Sequence, residues 1–397
     1  AVKQFGRTAL ALVLSMLFLL TGCSGTEPLF FDRISSSRPL IQDSGESSGP
    51  ESSELSEPAS SEPSSEPAPE PVRYSGELEL PVNGASGYAA VSLYLREEPD
   101  ASASAAAVLE AGAGFTILEE SGEWWRVRAG ETEGWVEHAD CLINLPDVIP
   151  SIVYNVTNSY SSLFRSSGRE LPGVTGQMLY ESRSYNERLG REEFTVAVQY
   201  RMAKKICAVQ QSALADGYTL ILYEGFRPYS VQLQVSDSLS ALMEEVPEVR
   251  AGVETEQWSI NWFIATGVSN HQQGYAIDVS LGRVGELTEN VCGNYLYDTV
   301  SSYEELAMPT AMHELSIAAA SMARPVTSKS PTEWRKAAPA ASMNEAAFAL
   351  QDYCVSAGLT PLASEWWHFN DLDCLSAVDD SWTGDFVLSG NYSVPAE

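Results

Sequence analysis

The chain has 397 residues, 44% of them hydrophobic, which is room for two domains with sizeable cores and further segments. Its formal net charge of −31 excludes a nucleic-acid partner, because phosphate binding needs basic surface. Histidine is scarce: only His138, His271, His313 and His368 occur, so imidazoles that fall together in a motif carry weight.

In chain order, Lys3 and Arg7 form a short basic region ahead of an apolar run over residues 9–20, too short to span a bilayer comfortably. The run ends in Leu20-Thr21-Gly22-Cys23. These residues resemble the bacterial lipobox. The resemblance implies that residues 1–22 are a lipoprotein signal peptide, that the Cys23 thiol carries the lipid, and that the protein is extracytoplasmic and anchored to the bacterial membrane. Residues 23–73 read as a disordered Ser/Pro/Glu-rich linker. Stretches such as Glu51-Ser52-Ser53-Glu54-Leu55-Ser56-Glu57-Pro58 hold almost no large apolar side chains, so folding cannot repay the entropy of ordering them. Proline and mutually repelling carboxylates keep such a tether extended.

Residues 74–146 change to short alternating runs. Val91-Ser92-Leu93-Tyr94-Leu95-Arg96, Phe115-Thr116-Ile117-Leu118, Trp124-Trp125-Arg126-Val127-Arg128 and Gly134-Trp135-Val136 are separated by turn residues, the pattern of a small all-β barrel or sandwich. The order is similar to a bacterial Src-homology-3-type domain. That resemblance implies a small all-β barrel that binds cell-wall peptides or acts as a spacer. Trp124, Trp125 and Trp135 are either its core or a stacking platform, and His138 near its end reads as structural.

Residues 147–385 read as an α+β domain. Ala203, Ile206, Cys207, Val209, Gln210, Ala213 and Leu214 keep helical spacing up to Asp216-Gly217, which stops the helix. A buried strand over 218–223 follows, broken by Glu224-Gly225, then Arg227-Pro228 in a loop and a helix over 230–243. A strand over 275–281 would put Tyr275, Ile277, Val279 and Leu281 on one face and Ala276, Asp278 and Ser280 on the other. Residues 283–339 show little periodicity, and 343–358 read as a helix ending at Gly358. Residues 386–397 are a C-terminal tail. Beyond Cys23, the cysteines Cys141, Cys207, Cys292, Cys354 and Cys374 have no CxxC spacing, so they read as small buried residues or as one or two disulfides.

Two segments carry the chemistry: Ser269-Asn270-His271-Gln272-Gln273-Gly274-Tyr275-Ala276-Ile277-Asp278 and Glu365-Trp366-Trp367-His368. They supply two imidazoles and a carboxylate, enough to hold Zn²⁺ with a fourth position open, and a second carboxylate, Glu365, to take a proton from water. Residues three apart cannot share a face of a regular strand, so a bulge, turn or strand end must lie between Glu365 and His368.

These residues resemble the zinc D-alanyl-D-alanine peptidase family, which includes the dipeptidases and carboxypeptidases of vancomycin resistance. The S-x-H-x-x-G-x-A-x-D motif is complete from Ser269 to Asp278, and E-x-W-H is complete from Glu365 to His368. Tyr223-Glu224-Gly225-Phe226-Arg227-Pro228 matches the family's G-x-R-P turn with one extra acidic residue. The resemblance implies one zinc ion on His271, Asp278 and His368. It also implies Glu365 as general base and then acid, Arg227 as oxyanion stabiliser, and Ser269 and Tyr154 as substrate contacts. In the dipeptidase branch an M-G-x-x-F-D segment supplies an Asp for the substrate's free ammonium. Here Met308-Pro309-Thr310-Ala311-Met312-His313 puts His313 in that place, with Glu314 beside it.

The expected fold class is therefore an α+β zinc peptidase domain, with a mostly antiparallel central sheet and flanking helices, plus a small all-β barrel domain. The expected function is D-alanyl-D-alanine hydrolysis in peptidoglycan stem peptides, with D,D-carboxypeptidase activity ahead of strict dipeptidase activity. A non-catalytic wall-binding lipoprotein is the alternative of another class. Expected partners are stem peptides, the cell wall through the β domain, and the membrane through the lipid. Since the lipobox is the anchor candidate, Cys23→Ala should move the protein from the membrane to the soluble fraction. Fractionation that still needs detergent would place the anchor elsewhere.

Overall fold

The computed structural model describes residues 69–388 and 390–396. The signal peptide, Cys23 and nearly all of the linker lie outside the described residues. The end of the expected linker is structured: Val72–Arg73 pairs in parallel with Tyr295 and Leu296.

The alternating runs of the β region form the expected strands, Leu93–Arg96, Gly114–Ser121, Trp124–Ala129 and Thr132–Glu137, within an eight-stranded antiparallel sheet. Its order runs from Ala197–Gln199 through Cys141–Asn144, Ser86–Ala89, Gly114–Ser121, Trp124–Ala129, Thr132–Glu137 and Leu93–Arg96 to Ala105–Leu109. The pairing is thus an open path rather than a closed barrel among the described residues, and its first strand comes from the α+β region. Trp125 is fully buried, whereas Trp124 and Trp135 are half-buried on the opposite face, as strand alternation requires. His138 packs its ring against Trp125 and Tyr200, bridging the β region to the start of the next helix.

A second, seven-stranded sheet organises the α+β region. Ala276–Cys292 is its long central strand, flanked by Tyr218–Glu224 on one side and by His368–Asn370 and Tyr295–Glu305 on the other, all antiparallel. The expected helices appear as Tyr200–Ala215, Tyr229–Glu245 and Glu345–Ser356. Gly217, at φ +81°, takes the left-handed turn that ends the first of them. The first part of the unassigned stretch is a β-hairpin, in which the strand ending at Cys292 turns through Gly293-Asn294 into Tyr295–Glu305. Residues 283–291 and 301–305 of the hairpin are mostly exposed on both faces, which is why no apolar period reveals it.

The two regions share one apolar core, in which Leu95, Phe115, Ile117 and Trp125 join Met202, Ile206, Leu220 and Ile277. The tail is laid over the β region: Tyr88 donates to the Gly390 carbonyl, Thr116 to that of Tyr392, and the Val394 amide to that of Gly84. All five described cysteines are buried and unpaired, so no disulfide joins them.

Arg188, only 2% exposed, pins these parts together. Its guanidinium donates to the carbonyls of Pro81, Asn83, Asp147 and Val394. The Asp147 carboxylate beside it accepts from Ser86 N and Asn186 Nδ2. Removing one member of a buried charged network strands the rest, so Arg188→Met should lower unfolding stability by about 3 kcal/mol. Chemical denaturation measures it, and an unchanged midpoint would contradict this account.

Candidate functional site

Strand register builds the site. Asp278 on the central strand pairs with Glu224 on one side and with His368 on the other, so three functional side chains lie in a row across three strands. Directly opposed side chains share a face at about 5 Å, which brings the carboxylates and the imidazole together. His368 is the first residue of its strand, and Glu365 lies in the irregular backbone before it, so a strand end falls between them as the spacing demands.

His271 arrives from the turn ahead of the central strand. That turn closes on Gly274, at φ +69°, where a Cβ would lie 2.4 Å from Leu142. The Gly274 carbonyl accepts from the Gln199 amide, which fastens the turn to the edge of the β sheet.

Both histidines have their tautomers fixed from behind. His271 Nδ1 donates to the Gly225 carbonyl at 2.7 Å, and His368 Nε2 donates to Asn370 Oδ1 at 3.0 Å. Lone pairs on His271 Nε2 and His368 Nδ1 therefore face Asp278 Oδ1. The three atoms lie 3.2 Å (N to N), 3.4 Å and 3.1 Å (each N to Oδ1) apart. Tetrahedral zinc with bonds of 2.0–2.1 Å needs ligand spacings of about 3.3 Å. Three acceptors turned on one another at that spacing repel unless a cation or a proton sits among them, so the donor set fits zinc.

The electrostatics follow from burial. It pushes Asp278 up, but the imidazoles of His271, His313 and His368, once a proton lies among them, hold that carboxyl well below the usual range. For His271, burial dominates and lowers it. For His368, burial opposes, but Asp278 and Glu365 outweigh it and raise it above 6.5. Burial pushes Glu365 up to about 8, which poises it to exchange a proton near neutral pH. Its Oε2 lies 3.6 Å from His368 Nδ1.

Arg227 is also buried and held firmly. Its Nη1 meets Glu224 Oε2 at 2.6 Å, its Nε donates to Gln232 Oε1 at 3.0 Å, and the guanidinium lies 5.5 Å from the Phe164 ring centroid. Arg227, Ser269, His271, Glu365 and His368 all line one cavity of about 400 Å³, whose outer wall includes Trp262 and Leu362.

The structure thus brings together His271, Asp278, His368, Glu365 and Arg227. Ser269 lines the same cavity, with its hydroxyl donating to Gln272 Oε1 at 2.6 Å. Tyr154 does not reach it: its hydroxyl donates to the Ile149 carbonyl within the core. His313 is 1% exposed and is not among the cavity's lining residues. Its Nε2 lies 3.1 Å from Asp278 Oδ2. Glu314 is engaged by the amides of Ser167 and Gly168 and by the Ser316 hydroxyl. Sequence reasoning missed Glu224 as the partner of Arg227 and Asn370 as the group behind His368. Signals existed in the three-residue spacing of Glu224 and Arg227 and the two-residue strand spacing of His368 and Asn370.

The family described as D-ala-D-ala dipeptidase matches residues 185–386, which include every residue lining the cavity. The bacterial SH3 domain family matches residues 91–142. No curated protein matches the chain. With half of its length covered by the first match, the chain belongs to the D-ala-D-ala dipeptidase family of peptidases, and it carries a bacterial SH3 domain ahead of the peptidase region.

Proposed function

We propose that this protein is an extracytoplasmic zinc metallopeptidase that hydrolyses D-alanyl-D-alanine bonds in cell-wall peptides, chiefly as a D,D-carboxypeptidase. The observation that carries the reading is the convergence of His271 Nε2, Asp278 Oδ1 and His368 Nδ1 at zinc-ligand spacing beside Glu365 and Arg227. When bound, the metal supplies Lewis acidity towards the scissile carbonyl and the attacking water. Glu365 takes the proton from that water and delivers it to the departing amine. The Arg227 guanidinium meets the negative charge that develops on the carbonyl oxygen.

Charge at the far end of the substrate favours the carboxypeptidase. A free dipeptide carries an ammonium one residue from the scissile bond, and a desolvated ammonium needs a partner. Among the described residues, Glu365, the proposed base, is the only carboxylate lining the cavity. Glu314 is committed to backbone amides, and His313 is turned to Asp278. A stem peptide presents a neutral amide there instead, and Trp262, Ile264 and Leu362 offer wall for the rest of its chain. The family description favours the strict dipeptidase, which therefore stands as the second reading. The lipid anchor rests on Leu20-Thr21-Gly22-Cys23, and wall binding by the β region rests on Trp124 and Trp135 sharing its outer face.

Purified protein should hold one zinc, which His271→Ala and His368→Ala lose. Zinc affinity should weaken as pH falls, because protons compete with the metal for His368, whose neighbouring carboxylates favour its protonated form. Glu365→Gln should keep the metal and lose about 10²–10⁴-fold in kcat. Near-normal turnover by that variant would remove Glu365 from the mechanism, and absence of any wild-type turnover would favour the non-catalytic wall-binding alternative.

For the substrate, kcat/KM on a stem pentapeptide or N-acylated Lys-D-Ala-D-Ala should exceed that on free D-Ala-D-Ala by at least about tenfold, the effect of only 1.4 kcal/mol of unpaired charge. Faster cleavage of the free dipeptide would establish the strict dipeptidase.

A further inference from the structure

His313 occupies a built environment that substrate binding does not explain. Its backbone is left-handed, at φ +60°, a conformation that a non-glycine residue keeps only when its surroundings impose it. Its ring stacks on Phe164 with centroids 4.4 Å apart and planes 15° apart, and the edge of Trp367 closes another side. Its carbonyl accepts from the Arg165 amide. Nδ1 is buried without a partner, so the ring's single polar contact is Nε2 to Asp278 Oδ2 at 3.1 Å. A carboxylate cannot donate, so the proton on that contact belongs to Nε2.

Asp278 is therefore gripped from two sides: Oδ1 faces His271 and His368, and Oδ2 faces His313. We infer that His313 is a positioning residue for the metal ligand Asp278 rather than a substrate contact: its Nε2–H holds Oδ2 and leaves Oδ1 alone to face the metal. The inference rests on the zinc reading above. Groups that hold a ligand from behind set its orientation, and their loss weakens metal binding without removing a ligand.

The test is chelator competition for Zn²⁺, and the visible spectrum of the Co²⁺ form, in the purified protein and its variants. His313→Phe keeps a ring to stack on Phe164 and removes the N–H, so it should weaken metal affinity by about 10–100-fold and change the cobalt spectrum. His313→Gln places an N–H near the same point and should restore affinity to within about threefold, a small loss on the scale of a ligand-supporting contact. Thermal unfolding of the metal-free forms checks folding, and His313→Leu serves if the Phe variant does not fold. Unchanged affinity in the Phe or Leu variant overturns the inference, as does a Gln variant as weak as either of them. Glu224, Asp278 and His313 also have donor atoms within 4.8 Å of one another. Two equivalents of cobalt in the wild type and one in His313→Phe would therefore make His313 a ligand and overturn the positioning role. A wild type that binds no metal defeats the zinc reading itself, a result distinct from all of these.

Discussion

A carboxylate sealed from water stays ionised only where donors or positive charge surround it. Asp278, 2% exposed, is in that position, and the site is assembled around it. Three imidazoles reach it from three parts of the chain: the turn before its own strand, the neighbouring strand and the left-handed position at residue 313. All depend on one register. A one-residue slip of the central strand would turn Asp278 to the opposite face and separate it from His368 and Glu224 together. The strand is buried on both faces over its first seven residues, which specifies that register strongly.

The same logic explains why the β region is joined so closely to the peptidase sheet. Ala197–Gln199 is at once the edge strand of the β-region sheet and the seat of two site loops. The Phe226 amide donates to the Ala197 carbonyl, next to Arg227, and the Gln199 amide donates to the Gly274 carbonyl, three residues from His271. A Cβ at Gly225 would lie 2.9 Å from that same Ala197 carbonyl, so the loop needs glycine to come this close. Phe226 then stacks on Phe386 from the start of the tail, at 4.8 Å. The loops carrying the arginine and the first histidine are thus fixed by a sheet edge and a tail that lie outside the motifs themselves.

The site was legible in the sequence where its chemistry is local. His271 and Asp278 are separated by a single turn, and the three-residue gap between Glu365 and His368 forces a strand end that the fold supplies. Helices and strands with a clear apolar period, such as those over residues 200–224, were legible for the same reason. What could not be read depends on contacts distant in sequence. Tyr154 sits in the right region but points its hydroxyl at a core carbonyl, and no local pattern distinguishes that from a cavity wall. The hairpin across residues 276–305 is half solvent-exposed and so lacks the alternation that marks a strand, although Gly293-Asn294 is a turn signal of its own. The resemblance places His313 against substrate. Its real orientation follows from Phe164, nearly 150 residues away, and from Asp278.

The row across the sheet also sets two acidic groups side by side, since Glu224 pairs directly with Asp278. Like charges at such a separation out of water are tolerable only if each is compensated. Arg227 compensates Glu224, and the His313 N–H, joined in the proposed zinc form by the metal, compensates Asp278. Neither pair is independent, because loss of the positive partner on one side leaves a bare carboxylate beside the other. Arg227 is held at both Nη1 and Nε, and its carbonyl accepts from Gln272, so its guanidinium cannot swing to follow a substrate. In the proposed reaction that rigidity is an advantage. The cation is oriented when the chain folds, and no reorganisation is left for the moment at which negative charge develops on the carbonyl oxygen. The arginine, the two adjacent carboxylates and the histidines therefore behave as one electrostatic unit, whose geometry is the register of three strands.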